Sequence, residues 1–447
     1  MNISVIGTGY VGLVSGVCLS EKGHNVVCVD NNQDKVDLIN NGVSPIHEDG
    51  LNELLRGNIG NRLKSSINLH DAVINSDVSL IAVGTPFDGS LIDLSYVQQV
   101  SKEIGLSIKK KDNYHVVIVK STVVPGTTDD VITPLLEKYS GKKAGKDFGV
   151  GMNPEFLREG AAVDDFMNPD RIILGGIDKT THNVMKELYQ VFKDVDVLLT
   201  NNKTAEMIKY TSNSLLATLI SFSNEIANLC SNIKAIDVVD VMKGVHLDKR
   251  ISPILSSGER IKPEIVSYIE AGCGFGGSCF PKDVKALIAY GKNENLPMPL
   301  LKSVIDINNN QPKRMIDLLL KDYPIIKNLK ISILGLAFKP GTDDMRESPS
   351  LYIVNEIHKL GGKIYAYDPV AEIEAKKYFK NLDVKYCATV EDAALNTEVI
   401  MILTSWPEFK NLPEILSKFA KSPLIIDGRR MFNKFDFERY KGIGLYR

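Results

Sequence analysis

The start of the chain alternates apolar strands with a helix, and this pattern constrains the fold more than any other. The segment "ISVIG" (3–7) predicts a buried strand, residues 8–23 predict a helix, and "HNVVCVD" (24–30) predicts a second strand. Further apolar segments, mostly separated by helical stretches, continue as far as residue 176. Strands that alternate with helices are typical of a parallel, doubly wound sheet, so we expect an α/β Rossmann domain over residues 1–200.

A glycine fingerprint lies in the turn between the first strand and the first helix. Gly7, Gly9 and Gly12 are spaced G-x-G-x-x-G, and Asp30 ends the next strand. In this context the glycines let the backbone approach a pyrophosphate at the helix N-terminus, and the acid hydrogen-bonds a ribose 2′-hydroxyl. Because Asn31 beside it offers no cation for a 2′-phosphate, the sequence predicts NAD rather than NADP. A glycine turn that only packs helix on strand is the alternative.

Two further turns follow apolar strands, "VGTP" (83–86) and "KSTV" (120–123). Open α/β sheets bind their ligands beyond the carboxyl ends of the strands. We therefore expect both turns at the cofactor, with Thr122 as a short hydroxyl on that side. Ordinary turn chemistry is the alternative for each.

The rest of the chain predicts a helical middle and a second Rossmann-like part. Residues 203–233 contain no Gly or Pro and are apolar at helical spacing, and the following ~70 residues also look mainly helical. From Leu329 the strand–helix alternation returns, and "ISILG" there echoes "ISVIG", with a polar loop, "FKPGTDDMRESP", in place of the glycines. We predict a central helical region at 201–312 and a Rossmann-like domain at 313–447.

Composition excludes several classes of protein. The 447 residues require two or three domains, and a net charge of −2 gives no case for nucleic acid or a membrane surface as partner. No apolar run is long enough to cross a bilayer, and the N-terminus lacks a signal peptide, so we expect a cytoplasmic protein. The six cysteines are scattered through the chain and predict buried thiols rather than a disulfide framework.

The segment "GCGFGGSCFPKD" (272–283) predicts a reactive thiol. Pro281 fits the first turn of a helix, so Cys279 would lie just before a helix N-terminus, where the dipole favours the thiolate. Asp283 is close enough to share the site. No metal is expected, because Cys273 and Cys279 have neither CxxC spacing nor a histidine nearby. A redox disulfide between them and a purely structural cysteine are the alternatives.

Two pairs of charged or polar residues are further candidates. Lys209 and Asn213 lie four apart on the long helix and could stabilise an oxyanion, although a solvated Glu206–Lys209 pair explains the helix equally well. Glu155 and Glu159 lie four apart after another strand, where surface carboxylates are an equal alternative.

Taken together, the motifs resemble a known family over essentially the whole chain. The segments "GTGYVGL", "KSTVVPGT", "NPEFLREG", "AEMIKYTSN", "GFGGSCFPKD" and "LGLAFKPGTDDMRESPS" occur in the order seen in the UDP-glucose/GDP-mannose dehydrogenase family. The resemblance implies an NAD-binding Rossmann domain, a central dimerisation region and a C-terminal domain that binds the nucleotide sugar.

The resemblance also implies the reaction and the residues that perform it. It implies NAD-dependent four-electron oxidation of C6 of a nucleotide hexose such as UDP-glucose to the uronate, through a thiohemiacetal and a thioester on the cysteine. The implied catalytic residues are Cys279, Lys209, Asn213, Asp283, Thr122 and Glu155. The implied cofactor contacts are Gly7, Gly9, Tyr10, Val11, Gly12, Asp30, Lys35, Thr85, Pro86, Ser121, Thr122, Glu159, Lys282 and Arg346. The implied substrate contacts are Glu155, Phe156, Leu157, Glu159, Lys209, Asn213, Arg250, Gly274, Lys339 and Arg429.

The identity of the sugar and the oligomeric state are less constrained. Arg250 resembles an arginine that reaches the sugar of a neighbouring subunit, which implies a homodimer or dimer-based oligomer. The segment 252–271 is longer than the family's usual connection and leaves GDP-mannose, UDP-galactose and UDP-N-acetylhexosamines open, although "GGSCFPKD" speaks against the last. A two-electron hydroxyacid-type dehydrogenase and a catalytically silent NAD-binding regulator are the alternatives from other classes.

Overall fold

Residues 1–395 and 397–446 are described by the computed structural model of the chain. The chain divides into two units, Met1–Ser212 and Asn213–Arg447. The predicted division into three parts, with a helical region at 201–312, stays a prediction.

The first unit is built on one sheet. Over residues 1–212, all of them described, the strand order is β3-β2-β1-β4-β5-β6-β7-β8. The strands are β1 (Asn2–Ile6), β2 (Asn25–Val29), β3 (Leu63–Ser66), β4 (Val78–Ile81), β5 (Val116–Val119), β6 (Gly149–Met152), β7 (Arg171–Gly176) and β8 (Asp196–Thr200). The helices are α1 (Tyr10–Glu21), α2 (Gln33–Asn40), α3 (Leu51–Asn58), α4 (Leu69–Ile74), α5 (Ser95–Ile108), α6 (Thr133–Ser140), α7 (Ala162–Met167) and α8 (Lys179–Tyr189), with a π-helical turn at Thr127–Ile132.

This sheet confirms the predicted doubly wound architecture with one correction. All its strand pairs are parallel except β6 with β7, which pair antiparallel through Gly151 and Met152. β4, β5 and β6 are buried along their whole length, as continuous apolar runs with both faces covered should be. The strands β3 and β8 extend the sheet beyond those that the apolar pattern predicted.

A long helix, α9 (Asn202–Cys230), confirms the helix predicted from residue 203. The remaining helices are α10 (Val238–His246), α11 (Phe280–Asn293), α12 (Pro299–Asp322), α13 (Pro349–Lys359), α14 (Glu372–Tyr378), α15 (Val390–Ala394) and α16 (Leu412–Ser417), with 3₁₀ turns at Glu264–Tyr268 and Pro407–Asn411. The expectation of a mainly helical segment after α9 was wrong between residues 247 and 279, where the 3₁₀ turn is the described helical structure. Prolines and glycines there leave too short a helical pattern to propagate.

The second unit contains another parallel sheet. Among its described residues the strand order is β11-β10-β9-β12-β13-β14, and every pair is parallel. The strands are β9 (Lys330–Leu334), β10 (Lys363–Tyr367), β11 (Val384–Tyr386), β12 (Val399–Ile402), β13 (Leu424–Asp427) and β14 (Tyr440–Gly442). The order 2-1-3 of β10, β9 and β12 repeats that of β2, β1 and β4, which confirms the predicted second Rossmann-like fold.

The β1–α1 turn generates the first prediction. A Cβ on Gly12 would overlap the carbonyl oxygen of Gly7, whereas a Cβ on Gly9 would have no atom within 4 Å. Gly12→Ala should therefore lower the free energy of unfolding by about 1–3 kcal/mol, because the helix must move off the strand. Gly9→Ala should leave it unchanged. Equal urea midpoints for both variants would contradict this account of the turn.

Candidate active site

The β1–α1 turn is shaped to receive a pyrophosphate. Gly7 has φ +100°, a backbone conformation that a residue with a Cβ would adopt only under strain. Its N–H donates to the carbonyl of Val29 at 2.8 Å. Gly9 begins α1 without a side-chain cap, so the first N–H groups of the helix have no side-chain acceptor. Open space beside Gly9 and a bare helix N-terminus fit the diphosphate of a dinucleotide.

Asp30 lies at the end of β2 beside this turn. Its carboxylate accepts hydrogen bonds from the N–H and hydroxyl of Thr8 and from the N–H of Asn32. Burial raises the pKa of Asp30, but these bonds and Lys35, 4.0 Å away, outweigh burial and hold the pKa below its usual value. An ionised carboxylate at this place suits a ribose hydroxyl and repels a 2′-phosphate, as the preference for NAD requires.

Four other residues predicted on the cofactor side, Thr85, Pro86, Ser121 and Thr122, lie in the turns after β4 and β5 of the same sheet. The hydroxyl of Thr85 donates to the carbonyl of Thr122 at 2.7 Å, and that of Ser121 donates to Val83 at 2.7 Å. The carbonyl of Pro86 accepts from Asp93. Hydrogen bonds therefore join the turns "VGTP" and "KSTV" beyond β4 and β5. Two further predicted contacts, Tyr10 and Val11, lie half-buried in the first turn of α1.

Glu155 and Lys209 form a buried ion pair in the first unit. Their side chains are separated by 2.9 Å and are 5% and 4% exposed. Burial raises the pKa of Glu155, yet the Lys209 cation and the N–H of Leu157 outweigh burial and hold it below its usual value. The Lys209 ammonium also lies 5.4 Å from the ring centroid of Phe156. The alternative of surface carboxylates was wrong for Glu155.

A second buried lysine belongs to this cluster, although it was not among the predicted site residues. Lys120 is 4% exposed, and its ammonium donates to the amide oxygen of Asn153 at 2.8 Å. Burial lowers the pKa of Lys120 to about 8, opposed by Glu155 and assisted by Lys209. Glu155 thus lies in the field of two cations.

Glu206 is not the solvated partner of Lys209. Its carboxylate is fully buried and accepts from the N–H groups of Gly126 at 2.6 Å and Thr128 at 2.8 Å. Burial raises the pKa of Glu206 to about 7 against these bonds. This residue anchors the segment after "KSTV" onto α9, and the Glu206–Lys209 alternative was wrong.

In the second unit Cys279 lies at the start of α11, as predicted. It is the N-cap of that helix, and Pro281 lies in the first turn. The Sγ of Cys279 lies 3.5 Å from the hydroxyl of Ser278. Cys279 is partly exposed, whereas the other five cysteines are buried. Partial exposure at a helix N-terminus is the environment that favours a nucleophilic thiolate.

Asp283 lies one turn into α11 and binds the side chains of two other predicted residues. Its side chain is 1% exposed and accepts from the amide of Asn213 at 2.6 Å and from the ammonium of Lys282 at 2.5 Å. The Asn213 amide is fixed in orientation as a result. Asn213 and Lys209 are one turn apart on α9.

The backbone of the glycine loop, residues 272–277, is clamped by amide side chains. Asn308 donates to the carbonyl of Phe275 at 2.9 Å and accepts from its N–H at 2.8 Å. Asn224 accepts from the N–H of Gly272, and Gln311 donates to the carbonyl of the same glycine. These three amides were not predicted; the run "NNNQ" within α12 is the signal that could have drawn attention to two of them.

The glycine loop also packs against the polar loop "FKPGTDDMRESP". A Cβ on Gly276 would overlap the carbonyl oxygen of Glu347, and one on Gly277 would lie 2.7 Å from the ring of Phe338. The N–H of Gly277 donates to the carbonyl of Arg346 at 2.8 Å. The glycines therefore allow the two loops to approach each other closely. The prediction of a reactive thiol did not by itself explain why this segment contains so many glycines.

Arg429 ties the same two loops together. Its guanidinium donates to the carbonyls of Gly274 at 3.0 Å, Phe338 at 3.3 Å and Leu403 at 2.6 Å. Lys339 follows Phe338 and lies half-buried beside its ring. These predicted substrate residues therefore lie in one region of the second unit.

The side chains of two predicted arginines and one predicted glutamate are not part of these clusters. Arg346 pairs with Asp344 at 2.8 Å, and Arg250 pairs with Asp248 at 2.5 Å; both arginines are exposed. Glu159 is half-buried in the loop after β6. Their predicted contacts with cofactor and substrate stay predictions.

Among the described residues of the second Rossmann-like sheet, the positions that match the dinucleotide site of the first sheet make contacts within the protein. Asp368, which ends β10 as Asp30 ends β2, accepts from the N–H groups of Leu336, Ala337, Val370 and Ala371 and from the indole of Trp406. Ser348 caps α13 by accepting from the N–H of Ser350. The acid and the helix end that hold a dinucleotide in the first sheet are therefore occupied by the protein itself.

Comparison with known proteins also assigns the dinucleotide to the first Rossmann-like sheet. Three models of the UDP-glucose/GDP-mannose dehydrogenase family match the chain: the NAD binding domain at residues 1–193, the central domain at 203–310 and the UDP binding domain at 332–434. The chain belongs to this family. It is an NAD-dependent oxidoreductase that acts on a nucleotide sugar.

Individual relatives match over nearly the full length. The UDP-glucose 6-dehydrogenase AglM of Haloferax volcanii is 37% identical over 99% of this chain and all of its own. TuaD of Bacillus subtilis, also a UDP-glucose 6-dehydrogenase, is 42% identical over 96% of this chain and 89% of its own. A structure of a UDP-glucose dehydrogenase from Pyrobaculum islandicum has a TM-score of 0.89 at 34% identity, covering 99% and 97% of the two chains. In the part of the chain that the structure describes, no helix is sufficiently long and apolar to cross a membrane.

The clamp on the glycine loop generates the second prediction. Asn308→Ala should leave the N–H and the carbonyl of Phe275 unpaired, at a cost of about 1–3 kcal/mol for each group. It should also lower kcat roughly 10- to 100-fold, because the thiol segment loses its fixed position. Asn310→Ala, on the exposed side of the same helix, is the matched control and should alter neither. Wild-type kcat in a folded Asn308→Ala variant would contradict this role for the clamp.

Proposed function

We propose that the chain oxidises UDP-glucose to UDP-glucuronate with two molecules of NAD and one of water. The observation that carries the proposal is Cys279, a partly exposed thiol at the N-terminus of α11, held by a glycine loop whose backbone is fixed on both sides. A two-electron dehydrogenase would need no such thiol, and a silent NAD-binding protein would need neither the thiol nor the Glu155–Lys209 pair.

The first sheet supplies the cofactor side. Gly7, Gly9 and Gly12 would hold the diphosphate at the α1 N-terminus, and Asp30 would hold a ribose hydroxyl. NAD bound there accepts a hydride from C6 in each of the two oxidations. The open space beside Gly9 and the ionised carboxylate of Asp30 support this assignment.

Lys209 and Asn213 are the proposed stabilisers of negative charge on the C6 oxygen. One is a cation and the other an amide, spaced one turn apart on α9, and each is fixed by a carboxylate: Glu155 for the first and Asp283 for the second. Donors fixed in advance cost little reorganisation when charge develops. Asp283 and, through a water, Thr122 assist the transfer of the hydroxyl proton.

The thiol divides the second oxidation into three steps. The Sγ of Cys279 forms a bond to C6 of the aldehyde, and the carbonyl oxygen takes up a proton to give a thiohemiacetal. Loss of a hydride and a proton from this adduct gives a thioester. Water then adds to C6, the C–S bond breaks, and the uronate leaves with the thiol restored.

Glu155 is the proposed base for hydrolysis of the thioester. Its pKa is held low by Lys209, so the carboxylate is ionised at neutral pH and accepts a proton from the attacking water. Lys120 contributes a second positive charge, which also lowers the pKa of Glu155. A low pKa makes Glu155 a weak base in the resting enzyme, and a rise in that pKa when Lys209 turns to the substrate oxygen would strengthen it.

The sugar is assigned from the relatives. Three curated relatives that match over 96–99% of this chain, at 37–42% identity, are named UDP-glucose 6-dehydrogenases. The test is NADH release with NAD and, in turn, UDP-glucose, UDP-galactose, GDP-mannose and UDP-N-acetylhexosamines. A higher kcat/KM for any sugar other than UDP-glucose would overturn the assignment.

The third prediction concerns the nucleophile. Cys279→Ser should stall the second half-reaction, because a serine hydroxyl at a helix N-terminus is far less ionised than a thiol. NADH formation should fall by a factor of roughly 10³ or more, on the scale of a lost nucleophile. Ser278→Ala is the neighbouring control and should retain most activity. Uronate production at the wild-type rate by Cys279→Ser would rule out the covalent route.

The fourth prediction concerns the field around Glu155. Lys120→Met removes a cation that favours the ionised carboxylate, so the pKa of Glu155 should rise and the acid limb of kcat should move about 0.5–1 pH unit upward. Lys111→Met is the matched control, because Lys111 is a buried lysine of the same unit, in the loop between α5 and β5, and it contacts the carbonyls of Val73, Ile74 and Ser76 instead. An unshifted profile in a folded Lys120→Met variant would remove Lys120 from the mechanism.

A homodimer is the proposed assembly. Leu215, Phe222 and Leu229 recur every seven residues of α9 and are 54%, 50% and 58% exposed, so they form one apolar stripe along the helix. A stripe of large exposed side chains is typical of a protein interface.

The fifth prediction tests this stripe. Phe222→Glu should convert the assembly to monomers, because a charge cannot be buried unpaired in an apolar interface. Light scattering after size-exclusion chromatography measures the mass. Lys234→Glu, exposed just beyond α9, should leave the dimer intact. A monomeric wild-type chain at micromolar concentration would refute the assembly.

A further inference from the structure

Two consecutive arginines in the turn after β13 contact different parts of the second unit. Arg429 donates to the carbonyls of Gly274 in the glycine loop and Phe338 in the polar loop. Arg430 instead pairs with Asp237, the residue that caps the N-terminus of α10. The backbone of a tight turn sets the directions of neighbouring side chains together. Whatever fixes the backbone at residue 430 therefore also fixes the direction of Arg429.

The backbone of Arg430 has a strained conformation. Its φ is +50°, in the left-handed region that residues with a Cβ rarely adopt. Such a conformation persists only where the surrounding structure holds it in place. The Asp427 carboxylate closes the turn, because it accepts from the N–H groups of Arg429 at 2.9 Å and Phe432 at 3.0 Å. These bonds fix the backbone on both sides of Arg430, and its own side chain needs a separate anchor.

A buried ion pair anchors the side chain of Arg430. The two terminal nitrogens of its guanidinium donate to the two carboxylate oxygens of Asp237 at 2.8 and 3.0 Å, and both side chains are 6% exposed. One of these nitrogens also donates to the carbonyl of Ile443 at 2.8 Å. A Cβ on Gly442 would lie 2.7 Å from the Cδ of Arg430, so the glycine leaves room for this side chain. A bidentate pair fixes both the position and the plane of the guanidinium.

Asp237 is itself fixed and ionised. Its carboxylate accepts from the N–H of Val239 in the first turn of α10 at 3.1 Å and from the ammonium of Lys434 at 3.2 Å. Burial raises the pKa of Asp237, but Arg430, Lys434 and the capping N–H outweigh burial and hold that pKa below its usual value. The start of α10 therefore presents a negative charge to Arg430 at a fixed place.

We propose that Asp237 and Arg430 are positioning residues for the nucleotide sugar. Their ion pair keeps residue 430 in its left-handed conformation, and that conformation directs Arg429 to the glycine loop and to the substrate. Both residues act through Arg429. The inference rests on the proposed function and on the predicted contact of Arg429 with the substrate.

The test compares the steady-state kinetics of Asp237→Asn and of the wild type at a temperature where both are folded. Asparagine still caps α10, but it cannot accept both bonds of the guanidinium. We expect KM for UDP-glucose to rise roughly tenfold, on the scale of one strained residue, while KM for NAD and kcat change less than about twofold. The NAD turn belongs to the first unit, and amide side chains still hold the glycine loop.

The matched control is Asp240→Asn. Asp240 lies on the same helix and also pairs with Lys434, at 3.5 Å, but its side chain is 73% exposed. This variant should leave KM for UDP-glucose unchanged, because an exposed ion pair contributes little.

A second comparison separates positioning from stability. In the Asp237→Asn background, Arg430→Gly permits φ +50° without a side chain to hold it, whereas Arg430→Ala removes the same guanidinium but keeps a Cβ. The glycine variant should bring KM for UDP-glucose back to within about threefold of the wild type, and the alanine variant should not. If Asp237→Asn does not fold, the glycine and alanine variants are compared with Asp237 in place, and the same difference is expected.

The outcomes distinguish this inference from the proposed function. Wild-type KM in a folded Asp237→Asn variant, or equal KM in the glycine and alanine variants, would overturn the inference. A further rise in KM when Asp237→Asn is added to Arg429→Ala would also overturn it, because the pair acts through Arg429. Absence of UDP-glucose turnover by the wild type would instead overturn the proposed sugar, and the comparison would then use the sugar that the substrate panel selects.

Discussion

Hydrogen bonds to the backbone of residues 272–277 are the constraint on which the second unit depends. The N–H and carbonyl groups of this glycine loop are taken by amides of α9 and α12, by the strand end at Gly428 and by the polar loop at Arg346. Side chains would not fit, because neighbouring backbone and the Phe338 ring occupy their places. Cys279 therefore begins α11 from a rigid segment, and a rigid approach is what a nucleophile needs.

The first unit contains a cluster of charged side chains that are buried in its interior. Glu155, Lys209 and Lys120 are all nearly excluded from solvent. Burying each charge in isolation would cost several kcal/mol. The charges remain ionised because they stabilise one another and because the Asn153 amide accepts a hydrogen bond from Lys120. Such a cluster is a poor source of stability. It holds a carboxylate and an ammonium ready to exchange partners with a substrate, which is the use that the proposed chemistry makes of it.

Sequence patterns predicted the two Rossmann-like sheets, the NAD fingerprint and the helix start at Cys279, because these features are local and periodic. They did not predict the antiparallel β7 or the irregular stretch before the glycine loop, where pairing and turns depend on distant residues. Lys120, Asn224, Asn308 and Gln311 were missed for a related reason. A buried polar residue inside a strand end or a helix differs from an exposed one only through its tertiary contacts. The same contacts decided between alternatives for Glu206, which sequence left open.

The central claim is that Cys279 carries the substrate as a covalent thioester. The most direct measurement is mass spectrometry of the full chain, quenched with acid during turnover of UDP-glucose and NAD, followed by peptide mapping. The account predicts an added acyl nucleotide-sugar mass on the peptide that contains Cys279, and its loss on neutral incubation. Formation of the uronate and NADH with no adduct, or with an adduct on another residue, would contradict it.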